Sequence, residues 1–305
     1  MNRGYLRKIA IITFVGLFLV YGGRCLILAA PPSDKLNIFV VNYPLRYFAE
    51  RIAKDQARVV FPAPRDVDPA FWIPKQSVIL AYQKADLILL NGASYAKWIS
   101  KVSLPPSRLV KTSRIFKDQL IATPGGVTHS HGTGGEHSHS GTAFTTWLDF
   151  SLAIQQAEDI LKTLIRKRPA SKAEFEKNFA DLKADLMFLD EAVKKVVSKN
   201  PKQPFVSSHP VYQYFSRRYG LTMESVMWEP GEFPSDTLWK ELKMGLKAFP
   251  AKWMIWEGNP LPKSIGKLKE MGVKSLVFDP CGNVPDEGDF LSVMKKNIEE
   301  LKKAY

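Results

Sequence analysis

Four of the five histidines, His129, His131, His137 and His139, fall in one short stretch rich in glycine, serine and threonine. They form two His-x-His pairs. Imidazole is the common nitrogen ligand for zinc, copper and nickel. Two such pairs on a Gly/Ser backbone make a mobile chelator, and tight binding needs three or four ligands in fixed geometry. The stretch therefore points to a divalent metal; the bland alternative is a solvated, low-complexity insertion. The fifth histidine, His209, stands alone in Phe205-Val-Ser-Ser-His-Pro210. It reads as a metal ligand or as a satisfied histidine at a helix start.

Two carboxylates accompany it. Glu257 and Asp279, like His209, each fall just past the end of an apolar run of strand character. Asp279 precedes Pro280 and is either a ligand or a turn carboxylate bonded to its own backbone. Glu257 suits a supporting role behind a ligand better than direct ligation. Cys281 reads as a buried inert thiol, with soft-metal ligation as the alternative. Trp72 is placed to wall a cleft. The sequence holds no Gly-x-Ser-x-Gly, Walker loop or His-Glu-x-x-His, and no close carboxylate pair beside a histidine. Those absences argue against an enzyme.

The elements that position these residues alternate strand and helix. Lys35–Asn42, Val59–Phe61 and Ala85–Gly92 read as strands, and Leu45–Ala53 and Ser77–Lys84 as helices. Trp147–Lys167 resumes as helix after the His-rich segment 125–142. Phe175, Phe179, Leu182, Leu186, Leu189, Val193 and Val197 then step by threes and fours. That spacing lays one apolar stripe along a helix from about Lys172 to Lys199, ended by Asn200-Pro201. Phe205–Ser208, Lys252–Glu257 and Lys274–Asp279 are strands; Val211–Tyr219, Leu261–Gly272 and Phe290–Lys303 are helices. The pattern predicts an α/β protein of two lobes, each a mostly parallel sheet covered by helices. The N-terminal lobe spans 35–167, the linking helix 172–199 and the C-terminal lobe 200–305. Ligands in such sheets gather beyond the carboxyl ends of the strands.

The first 30 residues differ. Arg3, Arg7 and Lys8 precede an apolar run from Ile9 to Tyr21, and Leu26–Ala30 is again apolar. This is a signal peptide or an uncleaved anchor, and either implies export. Of the formal charge of +13, that segment carries four units, which leaves +9 for the body. The body's lysines are mixed with acids along helices, with no aromatic-basic stacking motif, so nucleic acid is not an expected partner. If Cys25 leaves with the signal, Cys281 has no intrachain partner.

Several landmarks occur in order: Asn42-Tyr-Pro-Leu45, Lys84-Ala-Asp-Leu-Ile-Leu-Leu-Asn-Gly92, Trp147-Leu-Asp149, Phe205 to Gly220, and Val277-Phe-Asp-Pro-Cys-Gly282. Together they resemble the zinc- and manganese-binding periplasmic proteins of ABC importers, from about Lys35 to Tyr305. The resemblance implies a metal held between the lobes, with His209 and Asp279 at two of the family's ligand positions. The other two positions hold Ala70, after Asp68-Pro69, and Thr145, two residues before Trp147. Neither suits zinc. Phe71, Trp72 and Phe144 crowd the same segments and predict an apolar first-lobe wall. Imidazoles from His129, His131, His137 and His139 are then expected to complete the site.

The function so implied is capture of a divalent metal, zinc foremost, for an ABC permease in the inner membrane. The protein is expected to be an exported monomer, periplasmic or membrane-anchored. The alternative is a divergent paralogue that buffers or chaperones metal, or that binds a non-metal ligand in an aromatic cleft.

Overall fold

The computed structural model describes residues 35–123, 128–130, 136–138 and 141–305. The targeting segment 1–30, with Cys25, lies outside the described residues, as do His131 and His139.

Two four-stranded parallel sheets organise the chain. The first is built from β1 (Leu36–Val40), β2 (Ala57–Val60), β3 (Leu87–Leu90) and β4 (Leu109–Lys111), in the order β2-β1-β3-β4. After it come β5 (Ala122–Thr123), paired with β8 (Gly141–Thr142), and a hairpin of β6 (Thr128–Ser130) and β7 (Glu136–Ser138). The second sheet repeats the first sheet's order. It holds β9 (Pro204–Ser207), β10 (Thr222–Ser225), β11 (Trp253–Trp256) and β12 (Lys274–Val277), arranged β10-β9-β11-β12. β3 is buried at all four positions, as its unbroken apolar Leu-Ile-Leu-Leu requires of a strand covered on both faces.

Among the described residues, eight α-helices cover these sheets: α1 (Tyr43–Ala53), α2 (Gln76–Lys84), α3 (Phe150–Lys167), α4 (Lys172–Val197), α5 (Gln213–Tyr219), α6 (Asp236–Ala248), α7 (Pro262–Glu270) and α8 (Phe290–Leu301). Their starts are chemically specified. The Asn42 side chain accepts from the Leu45 amide, and the Asp149 carboxylate accepts from Ser151 and Leu152. Both are N-caps that satisfy orphan donors. The landmark Trp-Leu-Asp is thus a short 3-10 turn closed by the cap of α3, rather than the first turn of one long helix. β4, β10 and α6 are elements that the apolar patterning above does not mark.

α4 runs 26 residues, close to the expected span. Phe175, Leu182, Leu186, Leu189, Val193 and Val197 are buried, whereas Phe179 is half-buried. Asn178 takes a buried place beside it and donates to the Ile52 carbonyl at 3.0 Å. The helix packs on α1 and α3 near the first sheet and on α5 and α8 near the second. Arg51 and Asp185 tie it to α1 at 2.6 Å, and Arg218 and Asp190 tie it to α5 at 2.7 Å.

The lobes meet along a bonded seam. Trp147 Nε1–H donates to the Pro280 carbonyl at 2.7 Å, and the Tyr43 amide to the Gly282 carbonyl at 3.0 Å. Asn283 Nδ2 donates to the carbonyls of Pro64 and Val67, and Tyr214 Oη–H donates to that of Ala143. The aromatic core is also shared: Phe290 of α8 lies 5.5 Å from Phe48 and 5.6 Å from Tyr47 of α1.

Candidate metal centre

His209 stands two residues past β9. The neighbouring strand is β11, with Ile255 opposite Ser207. Continuing that register by two puts Glu257 beside His209. Hydrogen bonds past the strand ends hold the register: the Ser208 amide donates to the Ile255 carbonyl at 2.8 Å, and the Phe278 amide to the Trp256 carbonyl at 2.8 Å. On the other flank of β9 runs β10, with Ser225 opposite Ser207. The Trp228 amide then donates to the Ser208 carbonyl at 2.7 Å, which delivers Glu229 to the same edge.

These three elements converge on one imidazole. His209 Nδ1 lies 3.4 Å from Glu257 Oε1 and 3.6 Å from Glu229 Oε1. A ligand atom from each of the three residues falls within 4.8 Å of the others, the one such group among the described residues. The His209 side chain is 2% exposed, and the two glutamates are 22% and 21% exposed. Its backbone is fixed as well: the His209 carbonyl accepts from Ser207 Oγ at 3.0 Å and from the Val211 amide at 2.9 Å.

The electrostatics of this edge are strained toward protonation. Burial pushes the Glu257 carboxyl well above the ordinary carboxylate range, and the charges of Glu229, Asp68 and Asp279 push it the same way. Asp68 comes from the first lobe, so carboxylate charges of both lobes act on Glu257. A divalent cation there would relieve the repulsion, and an imidazole with carboxylates is a donor set that zinc and manganese accept.

Asp279 stands apart from the His209–Glu229–Glu257 group. Trp256 is opposite Val277 in the β11–β12 ladder, so Asp279 falls one residue beyond the row of Glu257. One residue reverses the face in a strand. Its Oδ1 accepts from the Cys281 amide at 2.7 Å, and its own amide donates to Asn297 Oδ1 at 3.0 Å. Burial, chiefly, raises its carboxyl above the ordinary range, opposed by that amide bond. It also borders an open cavity of about 710 Å³ with Lys296 and Asp286.

Cys281 is buried, takes a left-handed backbone (φ 56°), and its thiol is held protonated by burial. Trp72 is half-buried, with its amide on the Asp68 carbonyl at 2.9 Å. In the hairpin, His129 of β6 is directly opposite His137 of β7.

At the two first-lobe positions where the family resemblance implies ligands, Ala70 is fully buried and Thr145 is 4% exposed. Thr145 Oγ1–H donates across the seam to the Val211 carbonyl at 2.5 Å. The wall is aromatic, as expected: Phe144 lies edge-on to Phe71 at 6.1 Å and to Tyr95 at 5.2 Å, and Tyr95 lies edge-on to Trp147 at 5.8 Å.

Glu229 and Asp68 are the residues that sequence reasoning missed at this edge. Glu229 follows β10, an edge strand exposed at three of its four positions and therefore without an apolar signature. Asp68 was legible only as the start of Asp-Pro-Ala. Its side chain accepts from the Ala70 amide at 2.8 Å, which turns the segment toward the seam.

Two like-ordered parallel sheets, met along a seam with a histidine and carboxylates at one edge, define a bilobal α/β protein with a cluster of side chains of metal-binding type at that edge. The chain belongs to the family of the periplasmic zinc-uptake complex component A, ZnuA, whose model matches residues 38–304. It is 29% identical over 282 residues to the zinc-binding lipoprotein AdcA of Streptococcus pneumoniae, covering 88% of this chain and 56% of AdcA. The chain thus spans about half the length of that relative. It is 27% identical over 287 residues to the high-affinity zinc uptake system protein ZnuA of Bacillus subtilis, with 88% of each covered. Among solved structures, the Zn(II)-bound ZnuA-like domain of S. pneumoniae AdcA superposes with a TM-score of 0.75 at 25% identity, covering 89% of this chain and 99% of that one.

Proposed function

We propose that this protein is an extracytoplasmic receptor that captures a divalent cation, zinc foremost, for an ABC permease, and that it works as a monomer without catalysing a reaction. The observation that carries this reading is His209 Nδ1 held 3.4 and 3.6 Å from two carboxylates at the lobe edge. A metal-ligating histidine commonly has its second ring nitrogen on a carboxylate, which sets its tautomer and raises its basicity. In this reading His209 ligates through one nitrogen while Glu257 and Glu229 hold the other. Asp68 and Asp279 supply negative charge from the two lobes, and imidazoles of His129, His131, His137 and His139 complete the coordination sphere. Zinc-binding relatives at 27–29% identity over most of the chain support it. The chain is also 27% identical over 287 residues to a manganese ABC transporter substrate-binding lipoprotein of S. pneumoniae, so manganese is the competitor to test.

The test is calorimetry with zinc on metal-stripped protein. One tight zinc per chain is expected, lost in His209→Ala. A tight zinc that survives His209→Ala overturns the assignment. A second reading follows from the closed first-lobe wall, where Thr145 bonds Val211 and Phe71, Phe144 and Tyr95 fill the space. In it the protein buffers metal through the hairpin alone, or binds a non-metal ligand against those rings. Several weak zinc ions, indifferent to His209→Ala and lost on deletion of 128–140, would establish the buffer.

A further inference from the structure

A second cavity, of about 520 Å³, opens in the first lobe beyond the carboxyl ends of β3 and β4. Its volume is in the range of small-molecule sites. Leu90 and Ile99 give it apolar walls, and Lys97 and Lys111 are its two charged residues. Neither lysine has an ion-pair partner among the described residues. Lys97 is half-buried, and burial lowers its pKa. A desolvated ammonium with no counter-charge attracts an anion from solution.

The backbone of the cavity points the same way. Ala93 (φ 48°), Ser94 (φ 58°) and Ala96 (φ 51°) are all left-handed, directly after Gly92 (φ 76°). Left-handed backbone is strained for residues that carry a Cβ. Gly92 cannot be replaced to relax the turn, because a Cβ there would sit 1.9 Å from Ser113 Oγ. Three such residues within four positions line the cavity. The N–H groups of Ala93, Ser94 and Ala96 have no acceptor among the described residues, whereas Tyr95 donates to the Gly92 carbonyl and Lys97 to that of Ala70. Unpaired amides in a left-handed turn form an anion-binding concavity.

We infer that this first-lobe cavity is an oxyanion site, in which the amides of Ala93, Ser94 and Ala96 and the ammonium groups of Lys97 and Lys111 hold a phosphate group. The phosphate arrives free or as the headgroup of an anionic lipid. It is separate from the His209 edge and stands whether or not zinc binds there.

The experiment uses the full chain, inorganic phosphate and two kinds of vesicle. Saturable one-to-one binding of phosphate is expected by calorimetry. Lys97→Met and Lys111→Met should each weaken it about tenfold, as loss of a charge-assisted contact does. Zinc affinity should stay unchanged in both. Lys111 is exposed on a strand, so its variant folds even if loss of Lys97 disturbs the turn. Co-sedimentation with phosphatidic acid vesicles but not with phosphatidylcholine, lost in Lys111→Met and without free-phosphate binding, would assign the phosphate to a headgroup. Absence of saturable binding in both arms overturns the inference, as does binding indifferent to both lysine substitutions.

Discussion

Glu257 is costly where it stands. Burial and three neighbouring carboxylates raise its pKa, so the folded protein holds the proton more tightly than the unfolded chain does. For an acid shifted in that direction, stability is full below the unfolded value and is lost as pH rises through the folded one. Glu257→Gln should therefore raise the melting temperature of metal-free protein at about pH 7.5, with the gain shrinking toward about pH 4.5. The same change should weaken zinc binding roughly 10- to 100-fold, as loss of a carboxylate behind a ligating histidine does. Thermal melts at the two pH values and zinc calorimetry check both halves; a variant that melts lower at neutral pH would show that Glu257 is paired rather than strained. His209 and Glu257 were legible because each follows an apolar strand. Glu229 was not, because β10 is half of a parallel ladder whose side chains face solvent, and hydropathy is blind to such a strand.

At the scale of elements, the join between α4 and α5 depends on one carboxylate. Asp190, 8% exposed, accepts from Arg218 at 3.0 and 2.7 Å, from Tyr219 Oη–H at 2.8 Å and from Lys194 at 2.8 Å. Burial alone would raise its pKa; the bonds from Arg218, Lys194 and Tyr219 outweigh that and lower it. Its contribution is thus present above the ordinary carboxylate value and lost as pH falls through the depressed one. Asp190→Asn should cost about 3 kcal/mol at neutral pH, because it strands a half-buried guanidinium. Urea melts should show the gap closing as pH falls below the ordinary carboxylate range, the direction in which those bonds move Asp190. The β6–β7 hairpin carries its own expectation. Its register puts the backbone of His129 opposite that of His137, where the composition alone suggested a floppy chelator. Deletion of 128–140 should then weaken zinc binding sharply while leaving the thermal melt of the metal-free protein nearly unchanged; equal zinc affinity in the deletion would remove the hairpin from the site. Periodicity made the long helix and the βαβ alternation readable, since α4 shows its 3.6-residue stripe and β3 its unbroken apolar run. It did not find α6, whose buried face is reduced to Trp239 and Leu242.

For the whole molecule, the seam sets how far the lobes can move. Bonds cross it at Trp147–Pro280, Tyr43–Gly282, Asn283–Pro64, Tyr214–Ala143 and Thr145–Val211. The α4 helix lies against helices of both lobes and is pinned to each by a buried or half-buried ion pair. A hinge needs a few loop residues free to absorb the rotation, and opening here would break the crossing bonds together and expose Phe290 from between Tyr47 and Phe48. On the proposed reading, cation capture would then come from local ordering around His209 and the hairpin rather than from rotation of one lobe on the other. Small-angle scattering of metal-free and zinc-loaded protein should give radii of gyration that agree within about 1 Å, as for preorganised binders. Hydrogen exchange should meanwhile slow in 128–142 and around Glu229 on zinc addition, with amides of α4 unchanged. A contraction of several ångströms on loading, with faster exchange along α4 in the metal-free state, would mean that the seam opens in solution and that the bonds across it belong to the closed form alone.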